Sequence, residues 1–211
     1  MKNWNLKEIF DFSDVSFLNI CGGKFYPIDF DKLIFNRAFL LNVDQIYFSQ
    51  VTPEDVQYDF EEWIKYPVCK IINLNYDIYQ FIERFPLTFN FVSIYRFLEH
   101  VPKSEVLHFI WLLSTVCKIN GYIDVIVPDY KKLAERILNE NPYDNNFEAE
   151  DIITTYELVN EQPSPHLSIW TSDRLKYFFE LEGRFETVKC AKNYEFDGRN
   201  LYIRYIAKRI R

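Results

Sequence analysis

Short apolar runs alternate along the chain with segments in which apolar residues recur at helical spacing. The runs are rich in Val, Ile, Leu and Phe, as expected for strands that are buried on both faces of a sheet. They lie at Val15–Ile20, Ala38–Asp44, Val68–Leu74, Phe89–Tyr95 and Tyr122–Val127. Strands that alternate with helices predict an α/β fold with a mostly parallel sheet.

The clearest helix is predicted between the fourth and fifth of these strands. Its apolar residues recur at helical spacing from Val106 onward, with Ser104 as the expected N-cap and Gly121 as the expected end. A later helix is expected to be capped by Thr171 and ended by Gly183. That later helix is predicted over Arg174–Leu181. The other predicted helices are Asp29–Arg37, Val51–Tyr66, Asp77–Arg84 and Lys131–Asn141.

Two further strands are predicted at the end of the chain, over Phe185–Ala191 and Leu201–Ile206. The turn residues Phe196-Asp197-Gly198 between them suit a hairpin, which makes the last strand antiparallel. This gives seven strands in one domain over residues 1–211. The polar, proline-bearing stretch at about 139–170 fits the pattern least, and we expect it to be a variable insertion or a lid.

Composition narrows the class of protein. The chain has 211 residues, 48% of them hydrophobic, which is enough for one sizeable core. A net charge of −7 argues against nucleic acid as a partner, because phosphate binding needs clustered Lys and Arg. Basic residues gather only near the C-terminus, either as a solvated strand edge and tail or as a partner-binding patch; they are Arg199, Arg204, Lys208, Arg209 and Arg211.

The cysteines and the lengths of the apolar runs indicate in which cellular compartment the protein is expected. The four cysteines are widely separated and form no C-x-x-C pair, so we expect buried thiols in a reducing compartment and no metal site of that kind. No signal peptide and no run of membrane-spanning length is visible. The expected location is the cytoplasm, or a virion assembled there.

The stretch from Phe89 to Tyr130 carries a resemblance to a known family. It reads as a buried strand, a Leu-Glu-His-Val-Pro turn, a helix, a Gly-led strand and a Pro-Asp exit. It resembles the fourth and fifth strands of class I S-adenosylmethionine-dependent methyltransferases, and the order of all seven strands resembles that whole fold. The resemblance implies a Rossmann-like sheet with helices on both faces, and S-adenosylmethionine as cofactor.

The resemblance also implies where the cofactor binds. Cys21, Gly22 and Gly23 stand at the place of the family's glycine-rich loop, with Cys21 where the first glycine is expected. Asp44 ends the second strand about 20 residues further on, as suits a carboxylate that accepts hydrogen bonds from ribose hydroxyls. The third strand offers Asn73 or Asn75 near adenine, where relatives often have Asp. Tyr95 and Arg96, after the fourth strand, would border the cofactor or the substrate.

Candidates for catalysis are fewer. His100, in the Leu-Glu-His-Val-Pro turn, either fixes that turn or transfers a proton, and Asp129 at the end of the fifth strand is the other candidate base. His166 lies in a proline-flanked loop that could face the substrate, while His108 falls within the predicted helix and has a structural role. No Ser/His/Asp arrangement and no metal-ligand spacing is visible.

Two functions remain open at this point. One is methyl transfer to a small molecule, a sugar or a protein; the Asn-Pro-Pro-Tyr type of signature typical of enzymes that methylate nucleic acid is absent. The other is a methyltransferase-like binding or structural protein with weakened catalysis, such as a phage particle component. Cys21 and the third-strand asparagines favour the second function. A protein partner could bind through 139–170 or the basic C-terminus.

Overall fold

Seven strands form one sheet in the order β3-β2-β1-β4-β5-β9-β8. The computed structural model describes residues 14–20, 37–43, 61, 70–74, 77–84, 89–139, 157–159, 162–164, 166–196 and 199–211. The strands of the sheet are β1 Asp14–Ile20, β2 Arg37–Val43, β3 Lys70–Leu74, β4 Phe89–Tyr95, β5 Cys117–Pro128, β8 Phe185–Phe196 and β9 Arg199–Arg209. A separate hairpin, absent from the sequence prediction, pairs β6 Glu157–Val159 with β7 Gln162–Ser164.

Strand direction matches the prediction. β1 to β5 are parallel, and β9 inserts between β5 and β8, antiparallel to both. The register of β9 runs from Tyr122 opposite Lys208 to Pro128 opposite Tyr202, so the last strand is paired along most of its length. The predicted mostly parallel, Rossmann-like sheet with a C-terminal antiparallel hairpin is confirmed.

The helices that the structure describes are α1 Ile78–Arg84, α2 Val106–Val116, α3 Tyr130–Asn139 and α4 Ser172–Glu182, with a short 3-10 helix at Leu98–His100. α1, α2 and α4 share one hydrophobic core with alternate residues of the central strands, including Leu18, Val92 and Val125. In the described part of the chain, no helix is both long and apolar enough to cross a membrane.

The predicted caps of α4 are confirmed, whereas those of α2 are not. Thr171 caps α4 through its side chain, which accepts from the Arg174 N–H at 3.3 Å, and Gly183 ends it with φ +83°, as expected. The predicted helices over 29–37 and 51–66 lie outside the described residues, apart from residues 37 and 61. Arg37, assigned by the sequence to the first of these, already belongs to β2.

The expected caps of α2 were wrong. The helix starts at Val106 after Glu105 with no side-chain cap, and it passes directly into β5 at Cys117. Gly121 lies inside β5, where the pairing with β4 is irregular. A Cβ on Gly121 would stand 2.8 Å from the carbonyl oxygens of both Asn90 and Lys118. Close packing of the backbone therefore explains this glycine, and helix termination does not.

A buried ion pair crosses the face of the sheet opposite α1, α2 and α4. Arg204 on β9 donates to Asp124 on β5, with Nε 2.9 Å from Oδ1 and Nη2 2.5 Å from Oδ2. The Tyr95 hydroxyl donates to Asp124 Oδ2 at 2.9 Å, and the Tyr194 hydroxyl accepts from Arg204 at 3.1 Å. Burial opposes the charge of Arg204, but the Asp124 carboxylate raises the pKa of Arg204 overall.

The C-terminal basic residues differ in burial: Arg204 is buried, Arg199, Lys208 and Arg209 are half-buried, and Arg211 is exposed. Arg204 is buried and paired, which corrects the prediction that it belongs to a solvated edge. Arg209 donates to the carbonyl oxygen of Cys117, and Arg211 donates to that of Gly183 at 2.6 Å. These side chains connect the end of the chain to β5 and to the end of α4. Binding of a protein partner through this segment stays a prediction.

Candidate functional site

The parallel register aligns the carboxyl ends of four strands. Ile20 on β1 lies opposite both Val43 on β2 and Ile94 on β4, and Val43 lies opposite Leu74 on β3. All four side chains are buried. In open α/β sheets, ligands bind outside this edge, at the point where the strand order reverses. Here the order reverses between β1 and β4, so this edge is the candidate site.

The residues predicted to bind the cofactor follow this row in the sequence. Most of them lie outside the described residues, namely Cys21, Gly22, Gly23, Asp44 and Asn75. Asn73 is part of β3, with its backbone opposite Asn42 of β2. The assignment of these residues to a cofactor stays a prediction. What the structure adds is the shared edge from which the chain continues into Cys21, Asp44 and Asn75.

Tyr95 and Arg96 lie at the carboxyl end of β4, but they differ in the groups that a ligand could contact. Tyr95 is only 3% exposed, and its pKa is well above the usual range because it is buried and beside Asp124. Its hydroxyl is engaged within the sheet face, which leaves its backbone as the part available to a cofactor. Arg96 has a left-handed backbone, φ +54°, and its N–H donates to the Ile126 carbonyl at 2.9 Å. It therefore turns the chain at the end of β4.

A buried polar pair lies one residue inside the edge. The Ser93 hydroxyl on β4 donates to Asn19 Oδ1 on β1 at 2.7 Å, and both residues are at most 1% exposed. The pair ties the two strands together where the order of the sheet reverses. Sequence reasoning missed it, although a polar residue within each of two apolar runs was the available signal.

A segment from the 139–170 region is bound to the turn after β4. The Glu99 carbonyl accepts from the N–H groups of Leu167 and Ser168, at 2.7 and 3.0 Å. The Leu98 carbonyl accepts from the Ser168 hydroxyl at 2.9 Å and from Trp170 Nε1 at 3.2 Å. Trp170 is fully buried. These bonds fix residues 166–170 against the 3-10 helix at the carboxyl end of β4.

The same contacts bring two histidines together. The rings of His100 and His166 lie 4.9 Å apart between centroids, edge to face. The Tyr130 hydroxyl lies 2.5 Å from His166 Nδ1. Burial, together with the neighbouring His100 and Arg96, lowers the pKa of His166 to about 4. Burial, together with the charge of Glu99, raises the pKa of Tyr130 well above its usual range. Both groups are therefore neutral at pH 7.

Glu99 completes this cluster. It is fully buried, and one donor atom each from Glu99, His100 and His166 lies within 4.8 Å of the others. Sequence reasoning could not predict this grouping, because His166 is far from the other two residues along the chain. His166 was expected to be a loop residue that could face the substrate, and the structure shows its actual neighbours.

Asp129, the second candidate base, is placed at the start of α3. Its Oδ1 accepts from the Lys132 N–H at 3.4 Å, and its own N–H donates to the Leu201 carbonyl at 2.9 Å. The residue is 6% exposed. This is a capping position, which accounts for an aspartate here without catalysis. A role for Asp129 or His100 in proton transfer stays a prediction.

Three solved methyltransferases are similar to this chain in their fold. An S-adenosylmethionine-dependent methyltransferase from Methanosarcina mazei matches with a TM-score of 0.59 and 14% identity, over 100% of this chain and 99% of that one. One from Aquifex aeolicus matches with a TM-score of 0.53 and 14% identity, over 96% and 87%.

A third neighbour was solved with its ligands. It is the 1,6-didemethyltoxoflavin-N1-methyltransferase of Burkholderia thailandensis, with 1,6-didemethyltoxoflavin and S-adenosylhomocysteine bound. Its TM-score is 0.53 at 11% identity, over 94% of this chain and 72% of that one. No protein-family model matches the sequence, and no curated protein matches it. The likeness shows the class I methyltransferase-like fold.

Proposed function

We propose that this protein transfers a methyl group from S-adenosylmethionine to a small-molecule acceptor. The observation that carries the proposal is the sheet order β3-β2-β1-β4-β5-β9-β8 with an antiparallel β9, shared with methyltransferases along nearly the whole chain. The aligned carboxyl ends of β1 to β4 supply the edge at which such a cofactor would bind. The Burkholderia thailandensis neighbour, with its bound acceptor, supports a small molecule.

The residues proposed to hold the cofactor come from this edge. Gly22 and Gly23 would let the backbone approach the methionyl part, and Asp44 would accept hydrogen bonds from both ribose hydroxyls. An asparagine, Asn73 or Asn75, would meet the adenine. Arg96 marks the exit of β4, from which the acceptor would be reached.

The chemistry asks little of the protein besides geometry. Methyl transfer from a sulfonium is an in-line displacement, so the protein aligns the nucleophile with the methyl group and excludes water. A base is needed only where the acceptor must lose a proton. The insertion at about 139–170 is proposed as the acceptor-side cover, because residues 166–170 lie bound to the turn after β4.

Binding without turnover is the second candidate function. Cys21 in place of a loop glycine adds a side chain where the ligand should approach, and an asparagine offers adenine a weaker acceptor than an aspartate. Both changes favour a protein that binds the cofactor or a partner but transfers methyl groups slowly. Nothing in the comparisons supports a phage particle component.

Label transfer separates the two functions. The full chain is incubated with S-adenosylmethionine carrying a radioactive methyl group and with small-molecule, protein and nucleic-acid fractions of a cell extract. The proposal expects label in the small-molecule fraction, in proportion to enzyme and abolished by excess S-adenosylhomocysteine. Label found only in the protein or nucleic-acid fraction would contradict the acceptor class. No label in any fraction would contradict methyl transfer and leave the binding function.

A further inference from the structure

We propose that Glu99, His100 and His166 form a binding site for a divalent transition-metal ion of the Zn²⁺ class. One donor atom from each residue lies within 4.8 Å of the other two. Two imidazoles and one carboxylate form a ligand set that such ions accept, with a further position left for water or a substrate. Mg²⁺ and Ca²⁺ are disfavoured, because two of the three donors are nitrogen.

To bind a metal ion, the three donor atoms need to move only slightly closer to one another. Ligand atoms at about 2.0–2.1 Å from a tetrahedral ion stand about 3.3–3.4 Å from one another. The donors must therefore approach by roughly 1.5 Å at most from a separation of 4.8 Å. His100 and His166 are half-buried, so an ion can reach them from solvent, whereas Glu99 is held in the interior.

The surroundings hold the donors in place. The Glu99 carbonyl binds the N–H groups of Leu167 and Ser168, which fixes the backbone of His166 relative to that of Glu99 and His100. The Tyr130 hydroxyl, 2.5 Å from His166 Nδ1, can accept the proton of that nitrogen. Nε2 then carries the free lone pair. A partner of this kind on the second ring nitrogen is typical of metal-binding histidines.

The local charges set the affinity. The buried Glu99 carboxylate favours a cation. Its negative charge also acts on the nearby Tyr130 hydroxyl, whose pKa is raised by burial and by this charge. Arg96 opposes a cation, because its guanidinium lies close enough to act on His166. Arg96→Gln should therefore tighten metal binding. A merely structural role of the cluster gives no reason for this change.

The test uses the metal alone. The full chain is stripped with a chelator, dialysed and titrated with Co²⁺, followed by visible absorption, and the Co²⁺ is then displaced with Zn²⁺. We expect one equivalent of Co²⁺ with no sulfur-to-cobalt charge-transfer band, which excludes the cysteines as ligands. Each of His100→Ala and His166→Ala should weaken binding by at least about tenfold, since even partners of a ligand cost that much.

His108 provides the matched control. It lies on α2, where its ring stacks on Trp111 at 5.6 Å, so His108→Ala should bind Co²⁺ like the unmodified chain. Circular dichroism shows which variants are folded, and His166→Asn replaces His166→Ala if the latter is not.

Three results would overturn the site. They are no binding at millimolar Co²⁺, equal loss of binding in His108→Ala, or unchanged binding in folded variants of both His100 and His166. The outcome does not depend on S-adenosylmethionine binding, so the metal site and the methyl-transfer function can fail separately.

Discussion

The buried pair of Arg204 and Asp124 makes the stability of the sheet depend on one arginine. In Arg204→Met the apolar stem is retained, while the donors to Asp124 at 2.9, 3.2 and 2.5 Å are lost. Asp124 is fully buried, and within the described residues it would keep the Tyr95 hydroxyl as its remaining donor. Removing one partner of a buried ion pair costs about 3–5 kcal/mol, because the other charge stays in the interior.

Urea denaturation followed by circular dichroism measures this loss. With a slope of about 2–3 kcal/mol per molar urea, Arg204→Met should lower the unfolding midpoint by roughly 1–2.5 M. The control is Lys176→Met, which removes an exposed i,i+4 pair with Glu180 at 3.7 Å. That change should cost about 0.5 kcal/mol or less.

A double variant tests the reason for the loss. Replacing both charges, as in Asp124→Leu with Arg204→Met, removes the unpaired carboxylate and should be more stable than Arg204→Met alone. The reasoning is refuted if Arg204→Met stays within about 1 kcal/mol of the unmodified chain. It is equally refuted if the double variant is the less stable of the two.

Three further predictions follow from the same sheet. Gly121→Ala should cost about 1–3 kcal/mol in urea unfolding, because its Cβ would meet backbone oxygens at 2.8 Å; an unchanged midpoint would contradict this packing. Deleting Asn200–Arg211 removes most of the strand between β5 and β8 and should abolish soluble folding, so a cooperatively melting truncation would argue against it. Burial raises the pKa of Cys117 to about 12, so at pH 8 roughly one thiol in 10⁴ is ionised. Peptide mass spectrometry should find it unalkylated by iodoacetamide until the chain is unfolded, and equal labelling before and after would refute this.

Local pattern was enough to place the strands of the main sheet, including its C-terminal hairpin, but it missed the separate hairpin of β6 and β7. The apolar runs predicted β1 to β4 to within two residues, because a strand buried on both faces requires such runs wherever the chain goes next. They missed the first five residues of β5, which were assigned to the preceding helix. Thr171 and Gly183 were likewise predicted as caps, since capping depends on neighbours only a few residues away.

The pairings between distant segments could not be predicted in the same way. Arg204 was expected at a solvated edge because a basic residue is usually exposed, and only the antiparallel entry of β9 brings it to Asp124. Gly121 was expected to end a helix, since nothing local shows that the Asn90 carbonyl lies against it. His166 is placed by the bonds from Leu167 and Ser168 to Glu99, which the sequence does not encode locally.

Calorimetric titration with S-adenosylhomocysteine tests the central proposal, a cofactor site at the carboxyl edge of β1 to β4. The account predicts one site per chain. It also predicts a loss of about 1–3 kcal/mol in Asp44→Ala, because two ribose hydroxyls lose their acceptor. Glu186→Ala, an exposed carboxylate on β8, should bind like the unmodified chain. No binding at millimolar ligand, or an Asp44→Ala variant that binds as tightly as Glu186→Ala, would contradict the account.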